Sequence, residues 1–215
     1  MARIGILGGT FNPPHLGHLA LARHARDGLD LESVLLMPAR IPPHKPGGED
    51  PGAEHRLRMC RLAVDREPGL SVSVLEIERD GPSYTADTLR AVHASHPQLE
   101  LTFIVGADVA RTLPSWREPA GVLELAGLAV AARAGSDREA VLEALAPLTG
   151  PDHDVAGTGG ATGVRFLEMP AIDISSSMVR ERVAMGESAA SLVGEAVARY
   201  IAEHGLYRSI AQARG

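Results

Sequence analysis

Two histidines three residues apart, His15 and His18, stand where an apolar run has ended and a helical pattern begins. The run is Ile4-Gly5-Ile6-Leu7. Gly8 and Gly9 stop it, and Thr10-Phe11-Asn12-Pro13-Pro14 turns the chain before the pattern Leu16, Leu19, Ala20, Leu21, Ala22 starts. Three residues is close to one helical turn, so both imidazoles can project from one side of the helix start. There the unsatisfied N–H groups and the positive end of the helix dipole favour an anion. Gly8 and Gly9 let another group approach the backbone closely. These residue types in this order make a phosphate-binding device. A dinucleotide-binding Gly-x-Gly-x-x-Gly turn is excluded: no third glycine stands at the required place, and Pro13-Pro14 would disrupt the tight strand-to-helix turn.

Four further segments carry chemistry. Asp173-Ile174-Ser175-Ser176-Ser177-Met178-Val179-Arg180 reads as a helix start whose serines can cap free N–H groups, with Arg180 one turn in. Hydroxyls, helix-start amides and a guanidinium on one side also describe a polyphosphate clamp. Pro42-Pro43-His44-Lys45 lies in a proline-rich loop, where Lys45 offers a mobile point charge. Asp80-Gly81-Pro82-Ser83-Tyr84-Thr85 turns into a helix that Ser83 or Thr85 could cap. Phe103-Ile104-Val105-Gly106-Ala107-Asp108 is an apolar strand ending in Gly-x-Asp, with a carboxylate able to accept from ribose hydroxyls. Trp116 follows in a chain whose aromatic content is 3%. A lone tryptophan is commonly core, but beside a site it can also stack on a flat ring.

The elements that must hold these residues alternate. Strands are expected at 4–7, 33–37, 72–77, 101–105, 128–132 and 164–167, and helices at 17–28, 54–67, 84–95, 121–125 and 137–145. The strands are continuous apolar runs with little alternation, which fits a parallel sheet covered on both faces. Alternation of strand and helix predicts an α/β, doubly wound, Rossmann-like sheet with right-handed crossovers. After Ser175 the pattern is purely helical, at 176–185 and 194–204, which predicts a small C-terminal helical cap. The expected organisation is a core over 1–174, a helical subdomain over 175–207 and a frayed tail over 208–215. Long loops are expected at 39–52 and 150–163. In a doubly wound sheet ligands bind outside the carboxyl ends of the strands. The segments 8–18, 38–45, 106–108 and 170–180 all follow predicted strands, a second reason to gather them into one site.

Composition narrows the class. The chain has 215 residues, 45% of them hydrophobic, with a net charge of −6, enough for an aliphatic core. No cluster of Lys and Arg marks a nucleic-acid face. The single cysteine, Cys60, excludes an intrachain disulfide and a Cys-rich zinc site, and its helical surroundings predict a buried, inert thiol. No apolar run is long enough to span a bilayer, and no charged leader precedes an apolar stretch, so a cytoplasmic protein is expected. Oligomeric state is left open, a homo-oligomer included.

The His15-Leu16-Gly17-His18 stretch resembles the His-x-Gly-His signature of the nucleotidylyltransferase superfamily. Its extended form, from Gly8 to His18, is similar to bacterial nicotinate-nucleotide adenylyltransferases. The segment from Ile174 to Arg180 resembles the superfamily's second signature, Ile-Ser-Ser-Thr-x-x-Arg, with Ser177 in place of Thr. Ser83-Tyr84-Thr85 resembles a Ser-Tyr-Thr-x-x-Thr-Leu element, and Arg56 and Met59 match an Arg-x-x-Met helix that Leu57, Cys60 and Val64 already explain as amphipathic. The closing stretch from Tyr200 to Tyr207 also resembles the family, so the likeness runs almost end to end, weakest over 133–163.

The resemblance implies transfer of an adenylyl group from ATP to nicotinate mononucleotide, with Mg²⁺ carried mainly by the ATP phosphates. It implies catalytic roles for His15, His18, Lys45 and Arg180. ATP contacts fall on Gly8, Gly9, Thr10, Phe11, His15, His18, Gly106, Asp108, Ile174, Ser175, Ser176, Ser177 and Arg180. Mononucleotide contacts fall on Thr10, Asn12, His44, Lys45, Ser83, Tyr84, Thr85 and Trp116, with Trp116 stacked on the pyridine and backbone groups near Tyr84 and Thr85 receiving its carboxylate. Arg117 stands where the family often has Tyr. Alternatives within the class are enzymes for nicotinamide mononucleotide or phosphopantetheine; outside it, a nucleotide-binding sensor without turnover.

Overall fold

A computed structural model describes residues 1–43, 49–132, 136–149, 163–170 and 172–208. Six parallel strands form one sheet: β1 (Arg3–Gly9), β2 (Ser33–Pro38), β3 (Leu70–Val72), β4 (Glu100–Gly106), β5 (Gly127–Ala132) and β6 (Val164–Glu168). Their order is β3-β2-β1-β4-β5-β6, so the chain leaves β1 in one direction, fills that half, and returns to build the other half from β4. The order reverses between β1 and β4, where Leu7 pairs with Ile104. The crevice beyond the carboxyl ends of β1 and β4 is therefore the expected binding place.

Successive strand residues face opposite sides, and both sides are covered. Ile6 and Phe103 join Leu89, Val122, Val141 and Leu145 on one side, from helices α4 (Thr85–Ser95), α6 (Pro119–Leu125) and α7 (Ser136–Leu145). Leu7 and Ile104 join Leu19, Ala22, Ala25 and Cys60 on the other, from α1 (Leu16–Gly28) and α2 (Ala53–Val64). This is the two-faced α/β sheet expected from the continuous apolar runs. Cys60 is fully buried, and burial raises its thiol pKa, as expected of a packing residue.

The third strand differs from expectation. It covers Leu70–Val72, not 72–77, and the chain turns at once into a short helix, α3 (Leu75–Glu78). Ser73 initiates the turn: its hydroxyl accepts the Leu75 N–H at 3.2 Å, an alternative to ladder pairing that short hydroxyl side chains offer. A second short helix, α5 (Ala107–Ala110), and a 3₁₀ turn at Leu113–Ser115 follow β4.

Beyond β6 the chain is helical: α8 (Ser176–Ala184), α9 (Ala190–Val193) and α10 (Glu195–Glu203). Val179, Val193, Val197, Ile201, Leu206 and Tyr207 pack together and onto Met59 of α2. The cap is thus seated on the sheet's α1/α2 side. Residues 209–215 of the expected tail, like most of the loop 150–163, lie outside the described residues. No helix among the described residues is long and apolar enough to cross a membrane.

Candidate active site

The histidines come together at the carboxyl edge of β1. His15 is the N-cap residue of α1 and His18 lies in its first turn. Their rings stack with centroids 3.6 Å apart, and the edge of Phe11 meets His18 at 4.9 Å. Gly17 permits this: a Cβ there would come within 3.0 Å of His15 Nδ1. The His15 backbone N–H donates to His18 Nδ1 at 3.1 Å. An acceptor Nδ1 puts the proton of a neutral His18 on Nε2, making that nitrogen a donor. His15 is nearly buried, and burial lowers its pKa to about 4. The catalytic role expected of His15 is therefore not that of a fixed positive charge. Near neutrality His15 is an uncharged imidazole, because burial penalises the imidazolium.

The second signature meets the first across the chain. Ser175 caps α8 by accepting the Met178 N–H at 3.2 Å. Ser176 Oγ donates to the Pro13 carbonyl at 2.9 Å, and Arg180 donates to the Asn12 carbonyl at 2.7 Å and to Ser177 Oγ at 3.1 Å. Ser175 and Ser176 therefore use their hydroxyls to build the corner, while Ser177 and Arg180 form a paired polar edge. Asn12 is drawn into the same corner. Its Oδ1 accepts from the Tyr207 hydroxyl at 2.7 Å and its Nδ2 donates to the Glu49 carbonyl at 2.9 Å. The last described turn of the chain is thus tied to the loop after β1. Burial raises the Tyr207 pKa and keeps the phenol a donor.

Arg56 anchors the floor. It is 1% exposed, and its guanidinium donates to the carbonyls of Thr10 (2.8 Å), Ala39 (2.6 Å) and Arg40 (3.0 Å) and to Asp50 (3.0 Å). It joins the loops after β1 and β2. The sequence reading explained α2 through its apolar residues and missed this. The available signal was an arginine one turn before Met59 and Cys60, on the face those residues bury.

Two pockets open at the edge. One is bounded by Gly8, Gly9, Thr10, Ala39, Glu76, Ser83, Tyr84, Thr85, Phe103, Trp116 and Arg117. Trp116 is half-buried against Phe103, its indole N–H bonded to Thr112 Oγ1 at 3.0 Å. It is a wall of this pocket as well as a packing residue. Arg117 lies over the Tyr84 ring at 4.7 Å. The expected cap of α4 is not made: Tyr84 is the N-cap residue without a side-chain cap bond, and Ser83 Oγ accepts from the Arg40 N–H at 3.0 Å. Among the described residues no N-cap side chain closes the first turn of α4, and its first residue, Thr85, lines the pocket with Tyr84, whose own N–H is bonded to the Pro82 carbonyl at 3.1 Å.

The other pocket is bounded by His15, Gly17, His18, Leu21, Gly106, Asp108, Pro170, Ile172 and Ile174, and Val109 lines both. The Asp108 carboxylate is exposed and paired with Arg111 at 2.6 Å. Of the expected residues, Phe11, Asn12, Ser175, Ser176, Ser177 and Arg180 line neither pocket; Phe11 backs His18, and the others form the corner beside it. His44 and Lys45 lie outside the described residues.

The profile of the cytidylyltransferase-like family matches residues 6–182. A probable nicotinate-nucleotide adenylyltransferase of Symbiobacterium thermophilum is 42% identical over 207 residues, 96% of each chain. One from Bordetella petrii is 43% identical over 97% of this chain and all of its own. The chain belongs to the nicotinate-nucleotide adenylyltransferase family. The fold agrees. The Plasmodium falciparum nicotinic acid mononucleotide adenylyltransferase complexed with NaAD superposes with a TM-score of 0.74 at 18% identity, covering 96% of this chain and 98% of that one.

Proposed function

We propose that the chain transfers the adenylyl group of ATP to nicotinate mononucleotide, forming nicotinate adenine dinucleotide and releasing pyrophosphate. This is nucleotidyltransferase chemistry of NAD biosynthesis, in the EC 2.7.7 class. The observation that carries it is the pair of pockets meeting at Val109, one beside His15 and His18, the other walled by Trp116 and the open start of α4.

ATP lies with its triphosphate along the α1 start, reached by His18 Nε2–H, Ser177 and Arg180, and with its nucleoside between 106–108 and Ile174. The mononucleotide lies in the other pocket, its ring on Trp116 and its carboxylate at the N–H groups near Tyr84 and Thr85. Lys45 and His44, which lie outside the described residues, belong to the proposed mononucleotide contacts, with Lys45 a point charge. A phosphate monoester has a second pKa of about 6, so near neutrality it is largely a dianion and needs no general base. One of its oxygens bonds to the α-phosphorus of ATP as the bond from that phosphorus to the β-phosphate breaks. The rate comes from holding two polyanions in line and from donors aimed at the charge on the transferring group.

Among the described residues no group of three or more His, Cys, Asp and Glu side chains is placed to hold a metal ion. The Mg²⁺ of this reading needs no such group, since the ion is usually held by substrate phosphates and water and not by an all-protein cage. Bound to the triphosphate, the ion supplies charge neutralisation. We further take 1–174 as the core and 175–207 as a subdomain that carries Arg180 to it.

Pyrophosphate release with MgATP and a panel of mononucleotides tests the assignment; no release with nicotinate mononucleotide rejects it. Trp116→Ala is expected to weaken mononucleotide binding by about 1–3 kcal/mol, taking base–aromatic stacking as the guide, and to leave ATP binding nearly unchanged. Calorimetric titration with each ligand measures both. A variant that melts earlier but binds normally would make Trp116 a packing residue only.

A further inference from the structure

Glu76 is a carboxyl group inside the wall of the mononucleotide pocket, 6% exposed. It comes from α3, the short helix that interrupts the expected third strand. Thr88 Oγ1 donates to its Oε1 at 2.7 Å, and the Ser83 hydroxyl also donates to it. These two donors sit on either side of Tyr84 and Thr85. Glu76 therefore holds the corner where the pyridine substituent is proposed to lie. A carboxylate has about four acceptor positions, so two hydroxyls leave acceptor capacity over.

That arrangement sets a chemical problem. An ionised Glu76 is acceptor-only and suits the NH₂ of an amide, whereas a ligand carboxylate also only accepts. We propose that Glu76 selects the pyridine substituent, donating to a carboxylate when it is protonated and accepting from an amide when it is ionised. This rests on reading the chain as a pyridine-mononucleotide adenylyltransferase.

The surroundings favour the neutral form. Burial raises the Glu76 pKa, and the bonds from Thr88 and Ser83 and the charge of Arg79 offset part of the rise. The other charged groups nearby come from each adjoining element. Arg79, after α3, donates to Thr88 Oγ1 at 2.9 Å. Arg40, after β2, donates to the Ile77 carbonyl at 3.0 Å and pairs with Asp80 at 3.2 Å. Arg117, over the Tyr84 ring, is within 3.8 Å of Asp87 on α4 and 3.6 Å of Glu118. The guanidinium groups stay charged throughout, and all three of these acids are already paired with arginine.

The test is the ratio of kcat/KM for nicotinate mononucleotide to that for nicotinamide mononucleotide, measured with MgATP from about pH 5.5 to about pH 8, on the side of the ordinary carboxyl value of about 4.3 toward which burial moves Glu76. Both substrates share the phosphate, the ribose and the ATP partner, so those ionisations and any effect on folding cancel in the ratio. In the wild-type protein the ratio is expected to fall at least about tenfold as pH rises, equivalent to about 1.4 kcal/mol. In Glu76→Gln, whose amide both donates and accepts at every pH, the ratio is expected to be flat. A flat wild-type ratio overturns the proposal, and so does a slope that persists in Glu76→Gln. Should that variant not fold, the wild-type profile alone decides. Absence of pyrophosphate release with nicotinate mononucleotide at any pH is a different result, and it removes the functional reading together with this one.

Discussion

Replacing His18 with alanine is expected to lower turnover by roughly 10²-fold or more, the scale of losing one donor aimed at transition-state charge. The expectation comes from geometry. His18 Nδ1 is occupied by the His15 N–H at 3.1 Å, which fixes the ring and assigns its proton to Nε2. Phe11 and His15 pack against the ring from two directions, so the donor is held before substrate arrives. Preorganised donors of this kind act on the transition state more than on the bound nucleotide. The Michaelis constant for ATP should therefore change less than kcat. The substitution also removes an acceptor at the helix start, a cost of about 0.5–2 kcal/mol that the fold can absorb. Steady-state kinetics on protein shown to be folded by circular dichroism checks this. Turnover within a few-fold of wild type would remove His18 from the catalytic set.

Arg56→Met is expected to destabilise the protein by about 3 kcal/mol or more, because three backbone carbonyls lose their donor and a buried polar group left unsatisfied costs about 1–3 kcal/mol. The fork of Arg56 satisfies three carbonyls and Asp50 from a position 1% exposed. Methionine fills much of the volume but donates to none of them. Such a loss is a large part of a typical total of about 5–15 kcal/mol. Because Thr10 and Ala39 line the pocket proposed for the mononucleotide, activity should fall before the protein unfolds. Arg56→Lys should recover only part of the loss, since an ammonium lacks the planar fork. Urea unfolding measures the difference; a change within about 0.5 kcal/mol, the range of ordinary surface substitutions, would show that the anchor is dispensable.

What could be read from the chain alone was what depends on local pattern. Apolar runs such as the one from Leu101 to Val105 announced a sheet buried on both faces, and they are buried on both faces. The two signatures were legible because helix starts, hydroxyls and imidazoles near glycine carry their chemistry in adjacent residues. Residues 72–77 were not legible, because Val72, Val74, Leu75 and Ile77 look like a strand until Ser73 takes the Leu75 N–H. Arg56, Glu76 and Tyr207 escaped for another reason. Their partners are remote: the Thr10 carbonyl is 46 positions from Arg56, and Asn12 is 195 from Tyr207. A backbone carbonyl leaves no mark in sequence, so an arginine that satisfies three of them looks like any helical arginine. The neutral state of His15 was hidden likewise, since its burial depends on elements distant in the chain.

Substrate choice tests the central claim most directly. The open start of α4 presents N–H donors, and donors suit a carboxylate, which only accepts. An amide turns two donors of its own toward them and leaves buried groups unpaired, at a cost of about 1–3 kcal/mol. The measurement is kcat/KM for nicotinate and nicotinamide mononucleotides side by side, near neutral pH and at saturating MgATP, followed by pyrophosphate release. The expected result is at least about a tenfold preference for nicotinate mononucleotide, since 1.4 kcal/mol is a factor of ten. Equal efficiencies, or a preference for the amide, would contradict it.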